Sequence, residues 1–217
     1  MVTSLTMCLI KQRAKNPEQK ALRRQQILLA TRKRFADNAY EDVNLNHIAA
    51  DIGITKAALY RYFRNKETLF LALFVETLEE LITTGETEIA KQDLADSICD
   101  VLIQNPIFCK LSAILHTILE KKLKHEEALE FKSSLLSLME KFALQIKNHP
   151  SAKKFSTEET FKLLMHIQQA LIGVWHMTHP SGAIADVLES PPLTVFKRNF
   201  EDTLSEHIRA LFFQYGS

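Results

Sequence analysis

Three observations predict an all-α fold. The chain of 217 residues holds only 5 Gly and 6 Pro, so few turns are forced on it. No stretch alternates β-branched residues with the two-residue period of a strand. Apolar residues instead recur at spacings of three and four, and they make up 46% of the chain, enough to build a core. The expected architecture is an N-terminal three-helix helix-turn-helix domain followed by a C-terminal helical bundle, about nine helices in all. The expected divisions are a flexible arm over 1–15, the helix-turn-helix domain over 16–66 and a second domain over 67–217.

Charge divides the chain in the same way. Residues 1–70 hold 13 Lys+Arg against 6 Asp+Glu, whereas residues 71–217 hold 14 against 20, although the net charge is only +1. A polyanion would sit on the basic part, because phosphate contacts dominate nucleic-acid affinity. A basic solvated surface with no partner is the competing reading. Cys8, Cys99 and Cys109 are an odd number with no C-x-x-C spacing, which argues against a disulfide framework or a zinc site and suits a reducing cytoplasm. No cofactor or metal is expected. No apolar run reaches the 18 residues that would span a membrane, and Met1–Ile10 is too short for a signal segment.

The arm carries Lys11, Arg13 and Lys15, which could touch DNA or simply be solvated. Asn16-Pro17-Glu18 then opens a helix: an Asn cap, Pro at the first position and an acid in the first turn. It runs to about Asp37, with Ile27, Leu28, Thr31 and Phe35 as the buried stripe. Asn38-Ala39 ends it, and Asn tolerates the left-handed conformation that such ends often use. Asn44 caps the second helix, whose apolar face is Leu45, Ile48, Ala49 and Ile52. Gly53 makes the sharp turn, Ile54 plugs it, and Thr55 caps a third helix from Lys56 to about Phe63. Leu59 and Phe63 point inward, which leaves Lys56, Ala57, Tyr60 and Arg61 outward.

Two short helices around a Gly turn, the second opening on small residues, match a helix-turn-helix. In such a motif the N-terminal residues of the second helix read major-groove edges. Lys56 has the reach for guanine O6 and N7, and Ala57 and Ala58 suit thymine methyls. Tyr60, Tyr62 and Lys66 suit phosphates, which set register rather than sequence. A helical hairpin whose tyrosines merely pack is the alternative.

The stretch from Arg23 to Phe70 resembles the N-terminal domain of the TetR family of bacterial transcriptional regulators. The resemblance is carried by Ile27 and Phe35, Ile48-Ala49, Gly53-Ile54-Thr55-Lys56, Leu59-Tyr60-Arg61-Tyr62-Phe63 and Asn65-Lys66-Glu67-Thr68-Leu69. It implies that Asn44, Asn46, Thr55, Lys56, Ala57, Tyr60, Tyr62 and Lys66 contact DNA. Two positions depart from the family pattern: Ala39 replaces the usual turn glycine, and Asn44 replaces the usual Ser or Thr.

Glu67 to about Glu88 reads as a long helix with Leu69, Leu73, Phe74, Leu78, Leu81 and Ile82 inward and Glu76, Glu79 and Glu80 in water. The resemblance makes it the transmitter of a ligand signal. Further helices are expected over Lys91–Gln104, over 106–119 behind an Asn105 cap, and from His125 to about Lys147. The last of these has Leu129, Leu135, Leu136, Met139, Phe142, Ala143 and Ile146 inward. Ser156-x-x-Glu159 is a capping box for a helix to about Met177. After two Pro-containing breaks, a final helix is expected from Leu193 to about Phe213.

By spacing alone the stripes of the last two helices read as ordinary core; the resemblance implies instead that these helices pair with their copies in a homodimer, placing Phe196, Phe200, Leu204, Ile208 and Leu211 at the interface. Two headpieces one DNA turn apart would then grip a palindromic operator. Polar or aromatic residues within apolar helices, namely Phe108, His116, Phe131, His166, Gln169, Trp175 and His176, suggest a cavity for a small lipophilic ligand, a reading that rests mainly on the family; a satisfied core or interface residue is the competing reading for each His. No Gly-rich phosphate loop or H-E-x-x-H is present, and the eight His are scattered, so no enzyme is expected. The function expected is a cytoplasmic, ligand-responsive transcriptional regulator, a repressor, that leaves operator DNA on binding a small molecule. The alternative is an all-α adaptor that uses the helix-turn-helix only structurally.

Overall fold

The structure is a computed structural model, and it describes residues 16–89 and 93–216. The arm over 1–15, with Cys8, and the expected helix start at Lys91 lie outside the described residues. The described residues form ten α-helices and no strand, one helix more than expected. They fall into two compact units that divide between Leu73 and Phe74, inside a helix rather than at a linker.

In the first unit, helix α1 spans Pro17–Asp37 and is capped by Asn16, whose Oδ1 accepts from the Gln19 amide at 2.8 Å. At its end Asn38 is extended (φ −129°) rather than left-handed. Its side-chain amide donates to the Arg34 carbonyl at 2.8 Å, satisfying a terminal acceptor without a left-handed turn. Helix α2 covers Leu45–Asp51 and helix α3 covers Lys56–Leu59. Between them Gly53 adopts φ +67°. The Ile54 amide reaches back to the Ala49 carbonyl at 2.9 Å and the Gly53 amide to Ala50 at 3.1 Å, the paired bonds of a Schellman ending with glycine in the left-handed position.

Helix α3 is shorter than the expected stretch to Phe63. Beyond Leu59 the chain tightens, with Arg61 bonding Ala58 at 3.3 Å and Tyr62 bonding Leu59 at 2.9 Å. Leu59 and Phe63 are nonetheless both buried. Helix α4 follows over Lys66–Glu88. Asn65 and Thr68 cap it reciprocally: the Thr68 amide donates to Asn65 Oδ1 at 2.8 Å, and the Asn65 amide to Thr68 Oγ1 at 3.2 Å. The core of this unit is built by Ile27, Leu28, Phe35, Ile48, Leu59, Leu69 and Phe70.

In the second unit, the remainder of α4 is joined by α5 (Leu94–Ile103), α6 (Pro106–Ile114), α7 (His125–Asn148), α8 (Thr157–Thr178), α9 (Gly182–Val187) and α10 (Phe200–Gly216). Helices α6, α7 and α10 pack against α8, and α10 also packs against α5. The capping box at Ser156 and Glu159 forms at 3.1 and 2.7 Å. Asn105 does not cap α6; its amide donates instead to Val101 at the end of α5, at 2.7 Å. Residues Leu115–Leu119 continue α6 as a π-helical turn, closed by a 3.1 Å bond from the Glu120 amide to the Leu115 carbonyl.

Three further expectations for this unit change. Leu129 and Leu136 are exposed, because α7 turns the face carrying Phe131, Leu138, Phe142 and Ile146 inward. Between the two expected breaks, where no helix is expected, Gly182–Val187 makes the short helix α9, with Gly182 at φ +57°. The final helix starts at Phe200, not Leu193, because Asn199 Oδ1 accepts from the Asp202 amide at 3.0 Å and supplies a cap that Pro192 cannot. Leu193–Phe196 is only a 3₁₀ turn. No single described helix is long and apolar enough to cross a membrane.

Candidate DNA-reading face and ligand cavity

The reading face is built by caps. Asn44 Oδ1 accepts from the Asn46 amide at 2.8 Å and Thr55 Oγ1 from the Ala58 amide at 3.1 Å, so both side chains are held at helix starts. Each keeps donors for a phosphate: the Asn44 amide nitrogen and the Thr55 hydroxyl hydrogen. Asn46, Lys56, Ala57, Tyr60 and Arg61 are exposed, and Tyr62 is half-buried. The Lys56 ammonium lies 5.8 Å from the Tyr60 ring centroid, so the two extend together from α3.

Lys66 is placed differently. Its ammonium donates to the Tyr40 carbonyl and, at 3.3 Å, to the Glu41 carbonyl. It also lies 4.2 Å from the Tyr40 ring centroid. Burial lowers its pKa, although Glu41, Glu67 and Asp42 pull the other way. This cation is engaged within the fold rather than extended with Lys56.

Two contacts between α1 and α2 set the angle at which the reading helices leave α1. Arg34 binds Asp51 with both carboxylate oxygens, at 2.5 and 2.7 Å, and these hydrogen bonds hold the Asp51 carboxyl below its usual range. Arg23, almost fully buried, donates to the Ile52 carbonyl at 3.2 Å, just ahead of the Gly53 turn.

The second unit holds a cavity of about 390 Å³. Its walls are Phe74, Leu78, Leu81 and Ile82 of α4, Leu102 of α5, Phe108 of α6, Leu135, Met139 and Phe142 of α7, and Leu164, Ile167 and Leu171 of α8, with others. Its polar lining is His116, Lys132 and Gln168. Glu120 joins the first two, at 3.1 Å from His116 Nδ1 and 2.7 Å from Lys132 Nζ. Burial pushes the Glu120 pKa up, but the hydrogen bonds from Lys132 and His116 outweigh it and leave it lowered. His116 lies in the π-helical turn, a distortion often found at functional sites.

The comparisons with known proteins match both units. A model of the tetR family of bacterial regulatory proteins fits residues 27–73, and one of the tetracyclin repressor-like C-terminal domain fits residues 70–213. The chain belongs to the TetR family. Its members are transcriptional regulators rather than enzymes. AcnR, a transcriptional repressor of Corynebacterium diphtheriae, is 33% identical over 79 residues, 35% of this chain and 42% of AcnR. The fatty acid metabolism regulator protein of Bacillus subtilis is 31% identical over 78 residues, 36% of this chain and 40% of that protein. The transcriptional activator FasR of Mycolicibacterium smegmatis is 33% identical over 61 residues, 28% of each chain. The matches span less than half the length of these curated relatives.

Among solved structures, a transcriptional regulator from Cytophaga hutchinsonii superposes with a TM-score of 0.58 at 19% identity, covering 88% of this chain and 95% of that one. FadR from Bacillus subtilis, in complex with stearoyl-CoA, superposes at 0.51 with 16% identity, covering 86% and 96%. Both likenesses concern the fold.

Within this TetR-family chain the cavity takes up only part of the expected pocket. Phe108 and His116 line it. Phe131 stands behind the wall, edge-on to Phe74 at 6.1 Å. His166 accepts or donates a 3.0 Å bond with the Tyr215 hydroxyl, and Gln169 is exposed. Trp175 stacks on His179 at 3.8 Å and meets Phe200 edge-on at 5.4 Å. His176 bonds the Ala113 carbonyl at 3.0 Å. His166, Trp175 and His176 thus tie α8 to α6 and α10 rather than lining the cavity.

The expected interface stripe changes as well. Leu204 and Ile208 are fully buried within their own chain, because α10 lays that face on α8 and α5. Phe200 and Leu211 are half-buried, and Phe196 is 59% exposed.

Sequence reasoning missed Arg23 and Lys132. Arg23 lies four residues before Ile27, on the same line as Thr31 and Phe35, so its spacing already placed it on the buried face. Lys132 carried no such signal: only the fold of α7 against the π-helical turn brings it to Glu120.

Proposed function

We propose that this TetR-family protein is a transcriptional repressor that binds a palindromic operator as a homodimer and is released by a lipophilic small molecule whose apolar part enters its C-terminal cavity. The observation that carries the reading is the exposed Lys56, Ala57 and Tyr60 face on a short helix held by Thr55, within the basic part of the chain. Asn44, Asn46, Thr55, Lys56, Ala57, Tyr60 and Tyr62 are the DNA contacts, with Lys56 at base edges and the hydroxyls and amides at phosphates. Exposed apolar side chains over 184–196, including Ile184, Val187, Val195 and Phe196, support a surface that a second copy covers.

The cavity is apolar apart from Gln168 and an edge formed by His116 and Lys132, which Glu120 joins, and this suits a long apolar chain ending in a polar or anionic group. A long-chain acyl-CoA is therefore the first ligand to test. The ligand touches Phe74, Leu78, Leu81 and Ile82 of α4, the helix whose first turn belongs to the headpiece. To turn a mostly competent population into a mostly released one, it must favour the released state by about 5.5 kcal/mol.

The decisive experiment selects bound fragments from genomic DNA with purified protein, then titrates salt against the operator recovered. With six to ten phosphate contacts, affinity should fall roughly 10³–10⁵-fold between 50 and 200 mM salt. A flat salt response would sink the reading. Lys56→Ala with Tyr60→Ala should abolish operator binding while the fold survives. A reporter placed behind the operator separates repression from activation.

A further inference from the structure

We propose that Lys66 is a positioning residue that tethers the first turn of α4 to the loop in front of α2, so that the DNA-reading start of α2 follows α4. The inference rests on the DNA-binding reading above, and it assigns this lysine a role other than phosphate contact. Lys66 is the first residue of a 23-residue helix. A cation there meets the positive end of the helix dipole, so the position is unfavourable unless the charge has local acceptors. The acceptors are the carbonyls of Tyr40 and Glu41, which take two of the three ammonium donors. The Tyr40 ring covers the ammonium at 4.2 Å and meets Phe70 edge-on at 4.8 Å. Phe70 lies one turn further along α4 and meets Phe35 of α1 at 5.0 Å. The first two turns of α4 thus hold this loop twice, Lys66 through the Tyr40 and Glu41 carbonyls and Phe70 through the Tyr40 ring.

That backbone leads directly into the reading face. The Asp42 amide bonds the Ala39 carbonyl at 3.2 Å and the Val43 amide bonds Tyr40 at 3.3 Å. The next residue, Asn44, caps α2. Moving Lys66 with α4 therefore pulls on the turn that places Asn44 and Asn46. A phosphate-contacting lysine and a tethering lysine predict different measurements.

The test compares wild type, Lys66→Met and Tyr40→Leu. Met keeps the apolar stem and removes the donors; Leu removes the ring and leaves the cation. In the free protein, the tether predicts that exchange of the Asp42 and Val43 amides speeds up by roughly tenfold in Lys66→Met, and in the same direction in Tyr40→Leu. On operator DNA it predicts weaker binding by both variants, with the slope of log affinity against log salt unchanged from wild type. Unchanged amide exchange in both variants overturns the proposal. So does a slope in Lys66→Met shallower by about 0.9, the value of one lost phosphate contact, with Tyr40→Leu at the wild-type slope and affinity. If wild type shows no salt-dependent operator binding, the DNA reading fails, and the exchange measurement still decides the tether.

Discussion

Single residues here are fixed by backbone demands and by what the surroundings do to charge. Gly53 sits at φ +67°, and a Cβ added there would meet no atom within 4 Å. Gly53→Ala should therefore cost only the left-handed strain, about 1–2 kcal/mol, without a steric clash. Urea denaturation measures it, and an undiminished midpoint would show that the turn tolerates another conformation. Cys109 lies buried in α6 with its thiol 3.2 Å from the Leu102 carbonyl, and burial pushes its pKa up to about 12. In a Cys8→Ser background, a thiol reagent at pH 8 should leave Cys109 unlabelled until denaturant is added. Rapid labelling of the native protein would mean that α6 opens readily. Both residues stand out in the sequence by type, but only the surroundings of Cys109 settle its reactivity.

At the scale of elements, caps set where helices start and packing decides which stripe turns inward. Asn16, Asn44, Thr55 and Ser156 act where the sequence places them, because a cap needs only neighbouring amides. Helix α10 shows the limit of such local signals. Its stripe of Leu204 and Ile208 fits an inner core or an outer interface equally well by spacing, and it lies on α8 and α5. Leu204→Ala should cost about 2–5 kcal/mol at any protein concentration. Phe196→Asp, at an exposed site, should instead leave unfolding of the chain intact and weaken self-association in sedimentation. The reverse pattern would restore the α10 stripe to the interface.

The tie between α7 and the π-helical turn has a pH signature. The Glu120 carboxyl is lowered in the folded chain, so its contribution to stability is present above the ordinary carboxylate range. It is lost as pH falls through the lowered value. Wild type should melt above Glu120→Gln near pH 7, with the gap closing towards pH 3. A gap that persists in acid would mean that Glu120 acts through packing rather than charge.

For the whole molecule, the proposed ligand should act as a stabiliser of the state it binds. At a concentration 100 times its Kd, a long-chain acyl-CoA should add about 2.7 kcal/mol and raise the midpoint of thermal unfolding by about 5–10 °C. It should also release operator DNA over the same concentration range. Lys132→Ala should weaken the response to the acyl-CoA more than the response to an uncharged acyl ester. Equal losses for both would place the anionic group away from Lys132.

The sequence alone determined the helical class, the helix-turn-helix and the outward residues of its reading helix. Helical period, caps and turn glycines are local: they act over three to five residues, and the chain states them in order. The reversal of the α10 stripe, the choice of cavity wall and the turning-in of Lys66 were decided by tertiary packing. Each depends on residues far apart in the chain: Lys66 on Tyr40 and Glu41, Ile208 on α8 and α5, and the cavity on five helices. An amphipathic face states that it must be covered, but not by what. The covering element is selected by competition among all the apolar faces of the chain, and that competition is resolved only in three dimensions.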